Sequence, residues 1–131
     1  MQTPESLRYA ETHEWARREP DGTIVVGISD HAQEVLGELV YLKLPEAGAR
    51  LAKGEACMVI ESVKAAADGY SPVSGEVVAV NAEAAEHPES VNKDPYGTWL
   101  IRVRPGDAAE FDALLDASAY RKVAESDAHQ A

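Results

Sequence analysis

Ala56-Cys57-Met58-Val59-Ile60-Glu61-Ser62-Val63-Lys64-Ala65-Ala66-Ala67-Asp68 is the stretch whose reading decides the fold. Ala65-Ala66-Ala67 has high helix propensity, and Met58, Val59, Val63, Ala66 and Ala67 fall on one helical face. The same apolar run reads equally well as a short strand, and periodicity does not separate the two at this length. Within it Lys64 is a long amine among small neighbours, bracketed by Glu61 and Asp68. Turn residues and then an apolar strand follow, in Tyr70-Ser71-Pro72-Val73-Ser74-Gly75-Glu76-Val77-Val78. A lysine so placed is either a solvated surface charge or a handle on which another enzyme builds an arm. In the second case the protein is a carrier and not a catalyst.

Outward from this segment, short strands cut by Pro and Gly dominate. Glu14 to Glu19 and Thr23 to Ile28 flank Pro20-Asp21-Gly22, a hairpin turn in which Gly22 takes a positive φ. Ile24, Val26 and Ile28 alternate onto one face, as do Val40, Leu42 and Leu44, and then Trp99, Ile101 and Val103. Val77 to Val80 is a continuous apolar run, the pattern of a strand covered on both sides. Helical pieces are fewer. Asp30 with Gln33 resembles a capping box, closed by Gly37, which leaves His31 as a surface histidine. From Asp107 to about Asp127 the chain favours helix, with Asp107 and Asp116 as N-caps. Phe111, Leu114, Leu115 and Tyr120 would pin this tail to the core, and residues 128 to 131 are expected to fray.

The 131 residues suit one domain, with a core at about 7–104 and a helical tail at about 107–127. A net charge of −11 leaves no basic footprint for nucleic acid and repels anionic membrane surfaces. Basic-faced protein partners remain compatible with it. Cys57 is the single cysteine, which excludes an internal disulfide and cysteine zinc sites, and it reads as a small buried hydrophobe. His13, His87 and His129 have no metal-ligand spacing. No Gly-x-Ser-x-Gly, HExxH or phosphate loop supports an enzyme. No apolar run reaches membrane-spanning length. Met1-Gln2-Thr3-Pro4-Glu5-Ser6 has no signal or transit character, which points to a cytoplasmic bacterial protein.

The chain resembles the H-protein of the glycine cleavage system. The likeness runs through Tyr9 with His13-Glu14-Trp15, Gly27-Ile28-Ser29-Asp30-His31-Ala32-Gln33, Leu44-Pro45-Glu46-Ala47-Gly48 and Glu61-Ser62-Val63-Lys64-Ala65-Ala66. It continues through Tyr70 to Val77, Val91-Asn92, and Asp94-Pro95-Tyr96-Gly97 before Trp99. The resemblance implies a mainly β, lipoyl-domain-like barrel-sandwich hybrid with short peripheral helices and a C-terminal helical segment. It implies that Lys64 lies at a hairpin tip and bears lipoic acid in amide linkage. It further implies a role with no catalysis: the arm takes an aminomethyl group from glycine on the P-protein (glycine decarboxylase). It then delivers the group to the T-protein (aminomethyltransferase), and the L-protein (dihydrolipoamide dehydrogenase) reoxidises the arm. Lipoate-attachment enzymes are partners too.

Within that likeness Glu14 is the candidate for docking and protecting the loaded arm, with Asp68 second. Glu61, with Asp68, is a candidate for recognition by attachment enzymes. Ala67 and Gly69 depart from the family pattern, and Gly69 is expected to loosen the strand leaving the hairpin. Competing readings are an H-like protein relaying lipoate to 2-oxoacid dehydrogenases, a biotin carrier (disfavoured by Val63 and Ala65 where methionines are usual), and an unmodified interaction module.

Overall fold

The computed structural model of the protein describes residues 1–130, with side chains to residue 126. Two antiparallel sheets form it. The larger has six strands in the order β1-β2-β3-β9-β8-β5: β1 Arg8–Tyr9, β2 Glu14–Arg18, β3 Ile24–Ile28, β5 Arg50–Leu51, β8 Gly75–Val80 and β9 Ile101–Pro105. The smaller has three, β4-β6-β7, from β4 Leu39–Lys43, β6 Ala56–Ser62 and β7 Ala66–Tyr70. Their inner faces share one core. Leu42, Met58 and Ile60 from the small sheet meet Ile24, Val26, Ile28, Val77, Ile101 and Val103 from the large one. Short helices lie at the edges: α1 Asp30–Leu36, α2 Ala82–Glu86, α3 Glu89–Lys93, α4 Ala109–Asp112 and α5 Ala117–Gln130.

The deciding segment is a strand pair and not a helix. Ile60 pairs with Ala67 and Glu61 with Ala66. The helix propensity of three alanines is worth a few tenths of a kcal/mol each, whereas burying Met58 and Ile60 in the shared core is worth roughly 2 kcal/mol apiece. Tertiary burial therefore wins. The β2–β3 hairpin forms as expected, with Gly22 at φ 89° and the Glu19 N–H donating to Thr23 O at 2.8 Å.

Four expectations for the strands and α1 need correction, at Val40, in β8, at the N-cap of α1 and at His31. β3 alternates as expected, and all five of its residues are buried. Ile24, Val26 and Ile28 face the shared core, while Val25 joins Leu7, Tyr9, Trp15, Ala117, Tyr120 and Ala124 in a second cluster beneath α5. Val40 is not interior: a bulge between Leu39 and Tyr41 turns Leu39 and Leu42 inward and leaves Val40 54 % exposed. In β8 only Val77 is fully buried, so the run is not covered on both sides. The N-cap of α1 is Ser29, whose Oγ accepts from Ala32 N at 3.1 Å. Gln33 bonds the Asp30 carboxylate, and His31 is buried against His13, ring centroids 4.9 Å apart.

The tail behaves as read except at one cap. Asp116 caps α5 through its carboxylate, whereas the N-cap of α4 is Ala108 and Asp107 only accepts from Ala109 N–H just before it; Phe111 and Leu114 enter the shared core. Leu115 pairs with Tyr9 through two backbone bonds, and Tyr120 stacks on Tyr9 at 4.5 Å. The fraying expected for residues 128 to 131 concerns side chains, and at residue 131 a backbone, outside the described residues. Gly69 does not leave a gap. A methyl there would stand 2.8 Å from Met58 Cε, so Met58 occupies the space a larger residue would fill.

Candidate functional site

β6 ends at Ser62 and is joined to β7 by Val63-Lys64-Ala65, with Lys64 at the exposed tip. Ser62 shapes that turn. Its N–H donates to Ala65 O at 2.7 Å, and its Oγ accepts from the N–H groups of Lys64 at 3.2 Å and Ala65 at 3.0 Å. A serine hydroxyl that satisfies the local backbone holds a tight turn without help from the core. The tip rests on the connection between α1 and β4. Val63 N–H donates to Glu38 O at 3.0 Å, and the lysine side chain lies over Gly37. Ala65 and Ala66 are exposed and small, so nothing bulky flanks the amine on that side.

Glu61 and Asp68 lie on the outward face of the small sheet. Tyr41, Glu61 and Ala66 share one row, and Lys43, Val59 and Asp68 the next. Asp68 is exposed and borders a cleft of about 240 Å³ that also takes in Lys43, Cys57 and Val59. Glu14 is elsewhere and is no surface charge: it is 1 % exposed. Its carboxylate accepts from Thr12 Oγ1 and from Tyr70 N–H at 3.1 Å. Burial pushes its pKa up to about 7, against these two bonds, which favour the ionised form. Since Tyr70 ends β7, Lys64 and Glu14 mark opposite ends of that strand. Trp15 beside it is a core anchor, with its indole N–H donating to Pro95 O at 2.9 Å. Cys57 is half-buried, and its thiol is raised to about 12 by burial and then by the charges of Glu14 and Glu55.

The family described as "Glycine cleavage H-protein" matches residues 7–127. The chain belongs to the glycine cleavage H-protein family. It is 63 % identical over 122 residues to the glycine cleavage system H protein of Methylococcus capsulatus, covering 93 % of this chain and 96 % of that one. Over 129 residues it is 54 % identical to that of Thiobacillus denitrificans, covering 98 % and 100 %. Its fold matches the crystal structure of a glycine cleavage system H protein from Mycobacterium marinum with a TM-score of 0.84 at 39 % identity, covering 91 % of this chain and 96 % of that one. The architecture is thus the mainly β, lipoyl-domain-like barrel-sandwich hybrid of H-proteins, and the role is that of a carrier without catalysis.

The residues fit the group such a carrier bears. The exposed tip lysine, its small neighbours and its fixed turn allow another protein to surround the amine without unfolding either sheet. Among the described residues no group of three or more His, Cys, Asp or Glu could hold a metal ion, and no helix is long and apolar enough to cross a membrane. The sequence points to Lys64, Glu14, Asp68 and Glu61. It does not mark Ser62, Thr12, Gly37 and Asn92 as their supports. Asn92 is visible only as part of the matched Val91-Asn92 pair, with no local pattern to give it a role.

Proposed function

We propose that Lys64 bears lipoic acid in amide linkage on Nζ, and that residues 1–131 work as one carrier domain presenting it in turn to the P-, T- and L-proteins. The observation that carries this reading is the single lysine held at an exposed, hydrogen-bonded hairpin tip in a chain of this family. When bound, the lipoyl group supplies a disulfide that accepts the aminomethyl unit from glycine, and a dithiol for reoxidation. The chain supplies presentation. Amide formation removes the lysine charge, so the tip becomes neutral and keeps its reach. Tethering converts a bimolecular encounter with each enzyme into one at raised effective concentration.

Glu14 is the residue we assign to the far end of the arm, where an amine would be bound. A carboxylate titrating near neutrality is available in its ionised form, and a cation beside it favours that form further. Asp68 is second in this role. Glu61, in the row next to the tip, is read by the attachment enzymes together with Asp68. Mass measurement of the peptide containing Lys64, from a host supplied with lipoate, is expected to show the lipoyl addition on this lysine. A bare Lys64 in cells with active lipoate ligase overturns the reading. In the same assay Glu61→Gln is expected to slow attachment, and an unchanged rate removes Glu61 from recognition.

A further inference from the structure

Asn92 lies on α3, yet its side chain bonds nothing of α3. Its Oδ1 accepts from Leu39 N–H at 2.9 Å. Its Nδ2 donates to Gly37 O at 2.8 Å and to Gln33 Oε1 at 3.0 Å. Both amide hydrogens and the amide oxygen are thereby committed, all to the end of α1 and the start of β4. Gly37 O is one of the carbonyls that the end of α1 leaves without an intrahelical partner. A residue 55 positions away supplies that partner.

The clamped stretch touches the hairpin tip twice, once at Val63 and once at Lys64. Glu38, between the two clamped residues, offers its carbonyl to Val63 N–H at 3.0 Å. Gly37, at φ 84°, forms the floor under the side chain: a methyl built on it would stand 3.3 Å from Lys64 Cε and 3.9 Å from Nζ. The chain of contact runs from Asn92 to residues 37–39, and from there to both the backbone and the side chain of the tip.

We propose that Asn92 is a positioning residue for Lys64. By fixing residues 37–39 from a separate helix, it holds the hairpin tip in the one placement in which the amine is offered to an attaching enzyme. This rests on the reading of Lys64 as the attachment site. Loss of the clamp lowers the fraction of molecules with a presented tip. Apparent affinity falls in proportion to that fraction, while the rate at saturation is retained.

The test uses the full chain with Asn92→Ala, and with the isosteric Asn92→Asp, which keeps the Leu39 bond but loses both donations. The control is Val91→Ala, a buried core neighbour on α3 whose apolar side chain makes no hydrogen bond to residues 37–39. Hydrogen exchange at the Val63 amide is read relative to the β3 strand amides, so that global destabilisation cancels. Lipoate attachment by a lipoate ligase is read as KM and kcat for the protein. Both Asn92 variants are expected to raise relative Val63 exchange about tenfold and KM by a similar factor, with kcat held. The control is expected to lower stability and leave both ratios in place. Unchanged Val63 exchange in the Asn92 variants overturns the inference, as does an equal KM rise in Val91→Ala. If the wild-type chain is not acylated at Lys64, the carrier reading fails instead, and the exchange measurement alone decides whether the clamp exists.

Discussion

Glu14 is an acid enclosed by a hairpin, a strand end and a half-buried thiol, and its proton affinity links stability to pH. Its folded pKa, about 7, lies above the ordinary 4.5. Below 4.5 both folded and unfolded chains hold the proton. Between 4.5 and 7 the unfolded chain releases it and the folded chain keeps it. Stability therefore falls as pH rises through this window, by on the order of 3 kcal/mol in all, and is flat in this respect above it. Urea unfolding at pH 5 and pH 8 is expected to show that loss in the wild type and to lack it in Glu14→Gln. Parallel profiles would mean that another group is responsible. The same variant is expected to speed the loss of the carried amine to water from the loaded protein, and an unchanged rate removes Glu14 from protection. Cys57 shows the same effect of burial. A thiol titrating near 12 is ionised at pH 7 to about one part in 10⁵, so it is a poor partner for disulfide exchange although it is only half-buried. Neither environment is legible in the sequence. His13-Glu14-Trp15 reads equally as strand edge or as site, and only the arrival of Tyr70, 56 positions away, separates the two.

Turns and stops whose punctuation is local are legible in the sequence. Pro20-Asp21-Gly22 dictates its own turn, and Gly37 its own helix stop. The β6–β7 hairpin was illegible from pattern because its tip uses Ser62 rather than a Gly turn, and its second strand opens on alanines. Bulges in β4 and β8 were hidden for another reason: one extra residue shifts the alternation without leaving a compositional trace. A glycine inside a strand is a better clue. Gly27 faces Trp15 across the β2–β3 pair, and a methyl on it would stand 2.6 Å from three indole atoms. The indole cannot yield, since it is fully buried and bonded to Pro95 O. Gly27→Ala is therefore expected to cost about 3 kcal/mol, the upper range for forced overpacking, measured by chemical denaturation. A loss under 1 kcal/mol would show that Trp15 has room to move.

At the scale of the whole molecule, two apolar clusters share β3, and each is closed by a different layer. The small sheet covers the first cluster and carries Lys64. α5 covers the second, where Tyr120 lies flat on Tyr9 beside Leu7 and Val25. The sequence announced the first closure through alternating strands. The second is foreshadowed by Tyr120 and Leu115 in the tail, but its depth is not, because Trp15 sits in a strand whose opposite face, at Ala16, already serves the shared core. Burial of Tyr120 combines area with polar bonds, its hydroxyl meeting His13 Nδ1 and Ser29 Oγ, each at 2.7 Å. Two substitutions separate these contributions. Tyr120→Phe keeps the stacked ring and removes the hydroxyl, which is expected to cost about 1 kcal/mol. Tyr120→Ala empties the space under α5 and is expected to cost about 3–5 kcal/mol, the range for deleting a buried aromatic. With the ring gone, small or partly buried side chains (Ala117, Val123 and Ala124) and the Arg121 bond to Thr3 O are left to fasten the helix, so limited proteolysis should cut within α5 while the two sheets stay protected. Cleavage no faster than in the wild type would show that backbone pairing of Leu115 with Tyr9 is enough to hold the tail.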